Sequence, residues 1–212
     1  MNSITIDSSD CRSDLCLLGA QSGTDKSPYN NYGHRHPYTA PYSLFLEPLR
    51  KKQIKFVEIG VFRGASVLTW RRFFERARIY GFDCDQANLD FIASQGWPGV
   101  YLHTMDASDP KSIHENLSTF TQDGELYDVI LDDASHNIDH QVEVIRTGIH
   151  FLKQGGLLFV EDIFRDADTE KYEKVLNEIK HLVSFHTFII CDHEQRYSPG
   201  WNNDKILVLV RA

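Results

Sequence analysis

Two apolar runs in this chain end in acids. Tyr127-Asp128-Val129-Ile130-Leu131 leads into Asp132-Asp133-Ala134-Ser135-His136, and Gly155-Gly156-Leu157-Leu158-Phe159-Val160 leads into Glu161-Asp162. Short, nearly continuous apolar runs suit strands buried on both faces, and ligands of an open α/β sheet gather beyond the carboxyl ends of such strands. If these two strands are neighbours, Asp132, Asp133, Glu161, Asp162 and the His136 imidazole converge. Like charges that close repel, so the cluster calls for a counter-cation or shifted pKa values. A divalent metal with His136 beside it meets that need. The bland alternative is that the acids cap the helices that follow.

A second set of residues suits a nucleoside. Glu58-x-Gly60-x-x-x-Gly64 joins the strand Lys55–Gly60 to the helix 67–76, with Ser66 at the junction. Glycines there let backbone approach a ligand, and the N–H groups of a helix N-terminus accept polar groups. Asp83 ends the next strand, where an acid suits a ribose hydroxyl pair. Asp106 ends the third strand, within reach of an adenine edge. The glycine pattern is not G-x-G-x-x-G and the acid stands at its start. Both points lean away from a nicotinamide dinucleotide and toward the nucleoside of S-adenosylmethionine. Tight turns with solvated acids are the plain alternative.

The elements that must position these residues alternate. Strands at Lys55–Gly60, Arg78–Asp83, Val100–Asp106, Tyr127–Leu131 and Leu157–Val160 are separated by helices at 67–76, 87–94, 110–120 and 138–151. Such alternation with short loops means a parallel α/β sheet with helices on both faces. After a helix at 169–182, strands at Phe185–Cys191 and Lys205–Val210 have no helix between them and are expected to pair as an antiparallel hairpin, making seven strands in all. Ahead of the sheet, residues 1–22 read as a tail or a short helix around Leu15–Leu18. Residues 23–212 read as one domain, whose first part, 23–41, is rich in Gly, Pro, Asn and Tyr and carries Lys26, His34, His36 and Tyr38. Long loops inside compact domains are usually lids, binding loops or disordered, and this content favours a lid. A helix at 42–51 is expected to follow, with Leu44, Phe45 and Leu49 inward.

The totals exclude several classes. A chain of 212 residues fits one domain with a full core. A net charge of −8 argues against nucleic acid as the main partner. Cys11, Cys16, Cys84 and Cys191 form no C-x-x-C pair, so neither a disulfide framework nor a zinc site is expected, and a reducing, cytoplasmic setting is the default. The first ten residues show no signal-peptide pattern, and no apolar run reaches membrane-spanning length.

The strand order, Glu58-Ile-Gly-Val-Phe-Arg-Gly-Ala-Ser66 and the terminal hairpin resemble class I S-adenosylmethionine-dependent methyltransferases, which have a Rossmann-like fold. Gly23-Thr-Asp-Lys26 with His36-Pro-Tyr38-Thr39, Asp132-Asp-Ala-Ser-His136 and Val160-Glu-Asp-Ile163 are similar to pieces of the metal-dependent sugar O-methyltransferases of macrolide biosynthesis, the macrocin and mycinamicin type. The resemblance runs from about Gly23 to the C-terminus; Ala134 stands where that pattern usually has glycine. It implies Mg²⁺ held by Asp133, Glu161 and Asp162, with His136 as general base. It implies a cofactor site of Lys26 (toward the cofactor carboxylate), Glu58, Gly60, Gly64, Ser66, Asp83 and Asp106, with Asp132 in support. His36 and Tyr38 become candidate acceptor contacts, and Trp201 with Tyr197 a candidate stacking wall for a sugar. The expected partner is a small-molecule or glycan sugar, with no nucleic acid and no membrane; a homo-oligomer is an open option. The alternatives are a Rossmann-type oxidoreductase, an O-methyltransferase acting on a non-sugar diol or catechol, and a non-catalytic module.

Overall fold

A computed structural model describes residues 3–122 and 124–212. The strands form one sheet in the order β1-β7-β8-β6-β5-β2-β3-β4. The central four are β2 (Lys55–Ile59), β3 (Arg78–Asp83), β5 (Tyr127–Asp132) and β6 (Leu152–Ile163), with β4 (Val100–Thr104) at one edge. All pairings among these five are parallel. Every residue of β2 is buried, as its apolar run requires.

Side chains alternate between two cores. Val57, Ile59, Ile130 and Leu158 pack against α5 (Pro110–Thr119), α6 (Ile138–Gly148) and α7 (Glu170–Glu178). Phe56, Val129, Leu131 and Phe159 pack on the other face against α1 (Asp14–Ser22), α2 (Thr39–Leu46), α3 (Ala65–Phe73) and α4 (Gln86–Ser94). The two-residue period of a strand sends neighbours to opposite faces, so both need a helical cover. The helix starts are written locally. Asp85 accepts from Ala87 N at α4, Asp109 accepts from Lys111 N ahead of Pro110 at α5, and Asn137 accepts from Asp139 N at α6.

The hairpin forms as expected: β8 (Lys205–Arg211) lies antiparallel to both β6 and β7 (Val183–Asp192). The strand count does not. β1 (Ser3–Asp7) adds an eighth strand, parallel to β7, with Ser3 opposite Phe188 and Asp7 opposite Asp192. Its pairing covers the N–H and C=O groups that β7 would otherwise leave at the sheet edge. The patch around Leu15 is helical, capped by Ser13 and buried at Leu15 and Cys16. The next helix begins at Thr39, three residues before the expected start, which turns Tyr42 and Leu46 inward and leaves Leu44 66% exposed. Among the described residues no helix is long and apolar enough to cross a membrane.

Register decides the rest. Asp132 lies opposite Ile59 on one side and Val160 on the other. The next residue on each strand is Gly60, Asp133 or Glu161, so these three stand in a row at the carboxyl ends. Strand order reverses between β2 and β5, with β3 and β4 to one side and β6 to the other, which is where an open sheet of this kind leaves a crevice.

Candidate active site

Gly60 and Gly64 have left-handed backbone, φ 88° and 79°. A Cβ on Gly60 would lie 2.1 Å from the Asp133 carbonyl oxygen, and one on Gly64 would lie 2.8 Å from Ile92 Cγ1. Only glycine lets β2 turn that tightly beside the end of β5. Glu58 is fully buried behind this turn: its Oε2 accepts from Ser66 Oγ at 2.9 Å and Trp70 Nε1 at 3.2 Å, while Oε1 has no hydrogen-bond partner. Burial lifts its carboxyl to about 7 against the pull of Lys26. Asp83 accepts from the Phe62 N–H at 2.8 Å and the Asp85 N–H at 2.9 Å, and this fixes the loop after the glycine turn.

Two cavities meet at Gly60. One, about 410 Å³, is lined by Thr24, Lys26, Gly60, Phe62, Ser66 and Asp133 among others. The second, about 290 Å³, is lined by Gly60, Asp83, Met105, Asp106, Ala134 and His140 among others. The expected nucleoside residues are thus divided between two adjoining cavities, Ser66 in the first and Asp83 and Asp106 in the second, with Gly60 common to both. Asp106 lies at its exposed rim, its carboxylate held charged by Ser108 Oγ and N–H.

The acids at the ends of β5 and β6 form a cluster in which Asp132, Glu161 and Asp162 are buried and Asp133 is half-buried. Asp133, His136 and Asp162 each offer a ligand atom within 4.8 Å of the others. His136 Nε2 is 3.5 Å from Asp162 Oδ2, and His136 Nδ1 is buried with no partner. Asp162 Oδ1 accepts from Tyr38 OH at 2.7 Å and from Asn203 Nδ2 at 2.9 Å. Glu161 is held deeper, by Tyr42 OH at 2.5 Å and Lys26 Nζ at 2.6 Å. Lys26 Nζ also bonds Asp133 Oδ2 and lies 3.8 Å from Glu58. Burial raises the Asp133 and Glu161 carboxyls, with Lys26 pulling the other way and the neighbouring acids adding to the rise. The Tyr38 and Tyr42 hydroxyls are pushed well up by burial and by the acids they serve.

Several expected residues fall elsewhere than the sequence suggested. Lys26 borders the cavity at Gly60 but is 2% exposed, and its ammonium is paired with the protein carboxylates Asp133 and Glu161. His36 and Tyr38 are buried and line none of the cavities described. His36 bonds Asp204 at 2.8 Å and sits 3.9 Å from Asp162, so both residues support Asp162 from below instead of facing an acceptor. Asp132 lines none of the cavities described either: its Oδ2 has no partner among the described residues, and burial raises its carboxyl to about 7. Trp201 stacks on Phe164 at 5.7 Å, whereas Tyr197 sits against Arg35. Phe164 and His136 share a cavity of about 430 Å³ with Ile138, Ala167 and Lys171. Tyr42, Asn203 and Asp204 were not expected at the site. The polar Asn203-Asp204 pair just ahead of an apolar strand was the available signal.

A family profile described as a methyltransferase domain matches residues 57–163, from the middle of β2 to the end of β6. The chain belongs to this methyltransferase family. The oxidoreductase alternative is set aside with that match. Among curated relatives of the methyltransferase domain, the 8-demethyl-8-alpha-L-rhamnosyl tetracenomycin-C 2'-O-methyltransferase of Streptomyces olivaceus is 33% identical over 70% of this chain and 37% of its own length. The demethylmacrocin O-methyltransferase of Streptomyces fradiae is 27% identical over 84% of this chain and 47% of its own. The chain therefore spans less than half the length of these relatives. Of solved structures, the mycinamycin-pathway methyltransferase MycE in complex with Mg and SAH superposes with a TM-score of 0.67 at 20% identity, covering 95% of this chain and 55% of MycE. That likeness carries the fold: a Rossmann-like methyltransferase sheet, mostly parallel, closed by an antiparallel pair.

Proposed function

We propose that this methyltransferase domain moves a methyl group from S-adenosylmethionine to a hydroxyl of a sugar acceptor, small-molecule or glycan-borne, with Mg²⁺ in the acid cluster. The observation that carries the reading is the convergence of Asp133, His136 and Asp162, ligand atoms within 4.8 Å, directly beside the crevice at Gly60. The names of the relatives, which include a rhamnosyl O-methyltransferase, support the acceptor class.

The donor set suits the ion. Carboxylate oxygens are hard ligands of the type Mg²⁺ takes, and Asp133 and Asp162 bring two carboxylates together beside His136. Asp133 and Asp162, which converge, and Glu161, whose oxygens Tyr42 and Lys26 hold, would be its ligands, and it would supply Lewis acidity that makes an acceptor hydroxyl easier to deprotonate. His136 stands at the junction of this cluster and the cavity bordered by Phe164. From there it takes the hydroxyl proton as the oxygen attacks the methyl carbon and the carbon–sulfur bond breaks. The Gly60–Ser66 turn and Asp83 hold the donor, and the crevice sets oxygen, carbon and sulfur in a row, which is the positioning part of the catalysis. Lys26, Tyr38, Tyr42 and Asn203 keep the carboxylates aimed.

The test is transfer of labelled methyl from S-adenosylmethionine to a panel of free and glycan-linked deoxysugars, with Mg²⁺ and with EDTA. Transfer that needs Mg²⁺ and fails in Asp133→Asn supports the reading. Full transfer in EDTA sinks the metal role, and transfer only to catechols sinks the sugar.

A further inference from the structure

Lys26 is among the largest fully buried side chains, and among the described residues every hydrogen bond and ion pair of its ammonium is to an acid. It bonds Asp133 Oδ2 and Glu161 Oε2, on two different strands, and approaches Glu58 on a third. No other lysine or arginine makes an ion pair with Glu58, Asp133, Glu161 or Asp162 among the described residues; the other partners are neutral donors, Tyr38, Tyr42, Ser66, Trp70 and Asn203, and the imidazoles of His36 and His136. Of the converging Asp133, His136 and Asp162, Asp133 is already held by Lys26, which also bonds Glu161, the third acid of the metal reading.

We infer that Lys26 is a resident counter-cation of the carboxylate cluster: it holds Asp133 and Glu161 in place when no ion is bound and weakens the cluster's grip on a divalent ion. This rests on the metal reading above. A buried acid stripped of its partner is strongly destabilising, whereas a cation added to an already compensated cluster gains less than one added to a bare cluster. Lys26 and the ion therefore oppose each other. Each does the same electrostatic work, and each is worth more when the other is missing. Lys26 is a positioning residue in this scheme: it borders the cavity at Gly60, and its ammonium is engaged by Asp133 and Glu161.

The experiment compares wild type, Lys26→Met and the double variant Lys26→Met/Glu161→Gln. Its readouts are Mg²⁺ titration calorimetry and thermal unfolding, with and without Mg²⁺. Lys26→Met keeps the length of the side chain and removes the charge. Without Mg²⁺ its Tm should fall by about 10 °C or more, and Mg²⁺ should restore most of the loss. Its Mg²⁺ dissociation constant should drop about tenfold, the scale expected from removing one nearby unit charge. The double variant removes one charge of each sign, so it should regain stability without Mg²⁺ and lose the tightened binding. Equal Mg²⁺ affinity in wild type and Lys26→Met overturns the inference and leaves the proposed function standing. A double variant as unstable as the single one, with or without Mg²⁺, also overturns it, because the role of Lys26 would then be packing. Mg²⁺ binding to none of the three proteins overturns the metal reading itself and the inference with it.

Discussion

His136 Nε2 lies 3.5 Å from Asp162 Oδ2, and the two residues share a left-handed backbone, φ 57° and 56°. Neither is glycine, and positive φ is uncommon outside glycine, although aspartate and histidine adopt it more readily than other residues. The strain sits just past the end of β5 and at the end of β6, where it turns both side chains toward one point. Strain of this sort persists only when surrounding contacts hold it, here Tyr38 and Asn203 on Asp162.

From that pairing, His136→Ala should lower kcat for methyl transfer by about 100- to 10,000-fold, the range for losing a positioned acid–base group. The dissociation constant for S-adenosylmethionine should stay within about twofold, since the cofactor crevice is built from Gly60, Ser66 and Asp83. Calorimetry and a labelled-methyl assay separate the two. A variant that loses cofactor affinity in step with turnover would make His136 a structural residue.

Gly60→Ala and Gly23→Ala make a matched pair. Both glycines have positive φ, but a Cβ on Gly60 meets the Asp133 backbone at 2.1 Å while one on Gly23 meets nothing within 4 Å. Gly23→Ala should cost about 1 kcal/mol from backbone strain alone. Gly60→Ala should cost on the order of 3 kcal/mol and remove activity, because backbone cannot yield as a flexible side chain can. Chemical denaturation of the two variants decides the point.

Asp132 sets a pH dependence of stability. Its carboxyl rises from 3.8 to about 7 on folding, chiefly by burial. The folded state therefore binds a proton that the unfolded state gives up. The associated stability is full below pH 3.8, falls as pH rises and is gone above about pH 7. Asp132→Asn never ionises. Its stability advantage over wild type should be absent at pH 4 and grow to a few kcal/mol, in order of magnitude, at pH 8. Urea unfolding of both proteins across that range measures it, and parallel curves would mean Asp132 is not the titrating group.

Trp201 is 47% exposed and stacks on Phe164, which borders the His136 cavity. If this pair forms the acceptor wall, Trp201→Ala should raise the acceptor KM about fivefold, equivalent to an aromatic contact of roughly 1 kcal/mol, and leave the cofactor KM alone. An unchanged acceptor KM would reduce Trp201 to a loop anchor.

The parallel core was legible in the sequence because buried strands advertise themselves as apolar runs with acids at their ends. Asp133, Glu161 and Asp162 could be gathered from that pattern. β1 was missed although Ile4 and Ile6 alternate, because five residues with one half-buried side chain give a faint signal until β7 is there to pair with them. The fate of Lys26 was not legible: its partners lie 107 and 135 residues away, and nothing local to the Gly23–Lys26 stretch distinguishes a cation that meets a ligand from one that meets the protein. His36 and Asp204 are separated by 168 residues, and the same blindness applies. Composition suggested a lid for the loop 23–41: Gly23–Lys26, Asn30 and Tyr32–His34 border the cavity at Gly60, whereas His36 and Tyr38 are buried beside Asp162, because a histidine and a tyrosine can each end a core as well as line a cavity.

The row formed by Gly60, Asp133 and Glu161 draws on three strands, its cation comes from residue 26, and the brace on Asp162 comes from residue 203. Such long separations make the crevice a late event in folding, since loop-closure entropy must be overcome before distant contacts can form. Helical signal should therefore return before donor binding when the unfolded chain is diluted into buffer, and the lag between them would time the docking of the two chain ends onto the sheet.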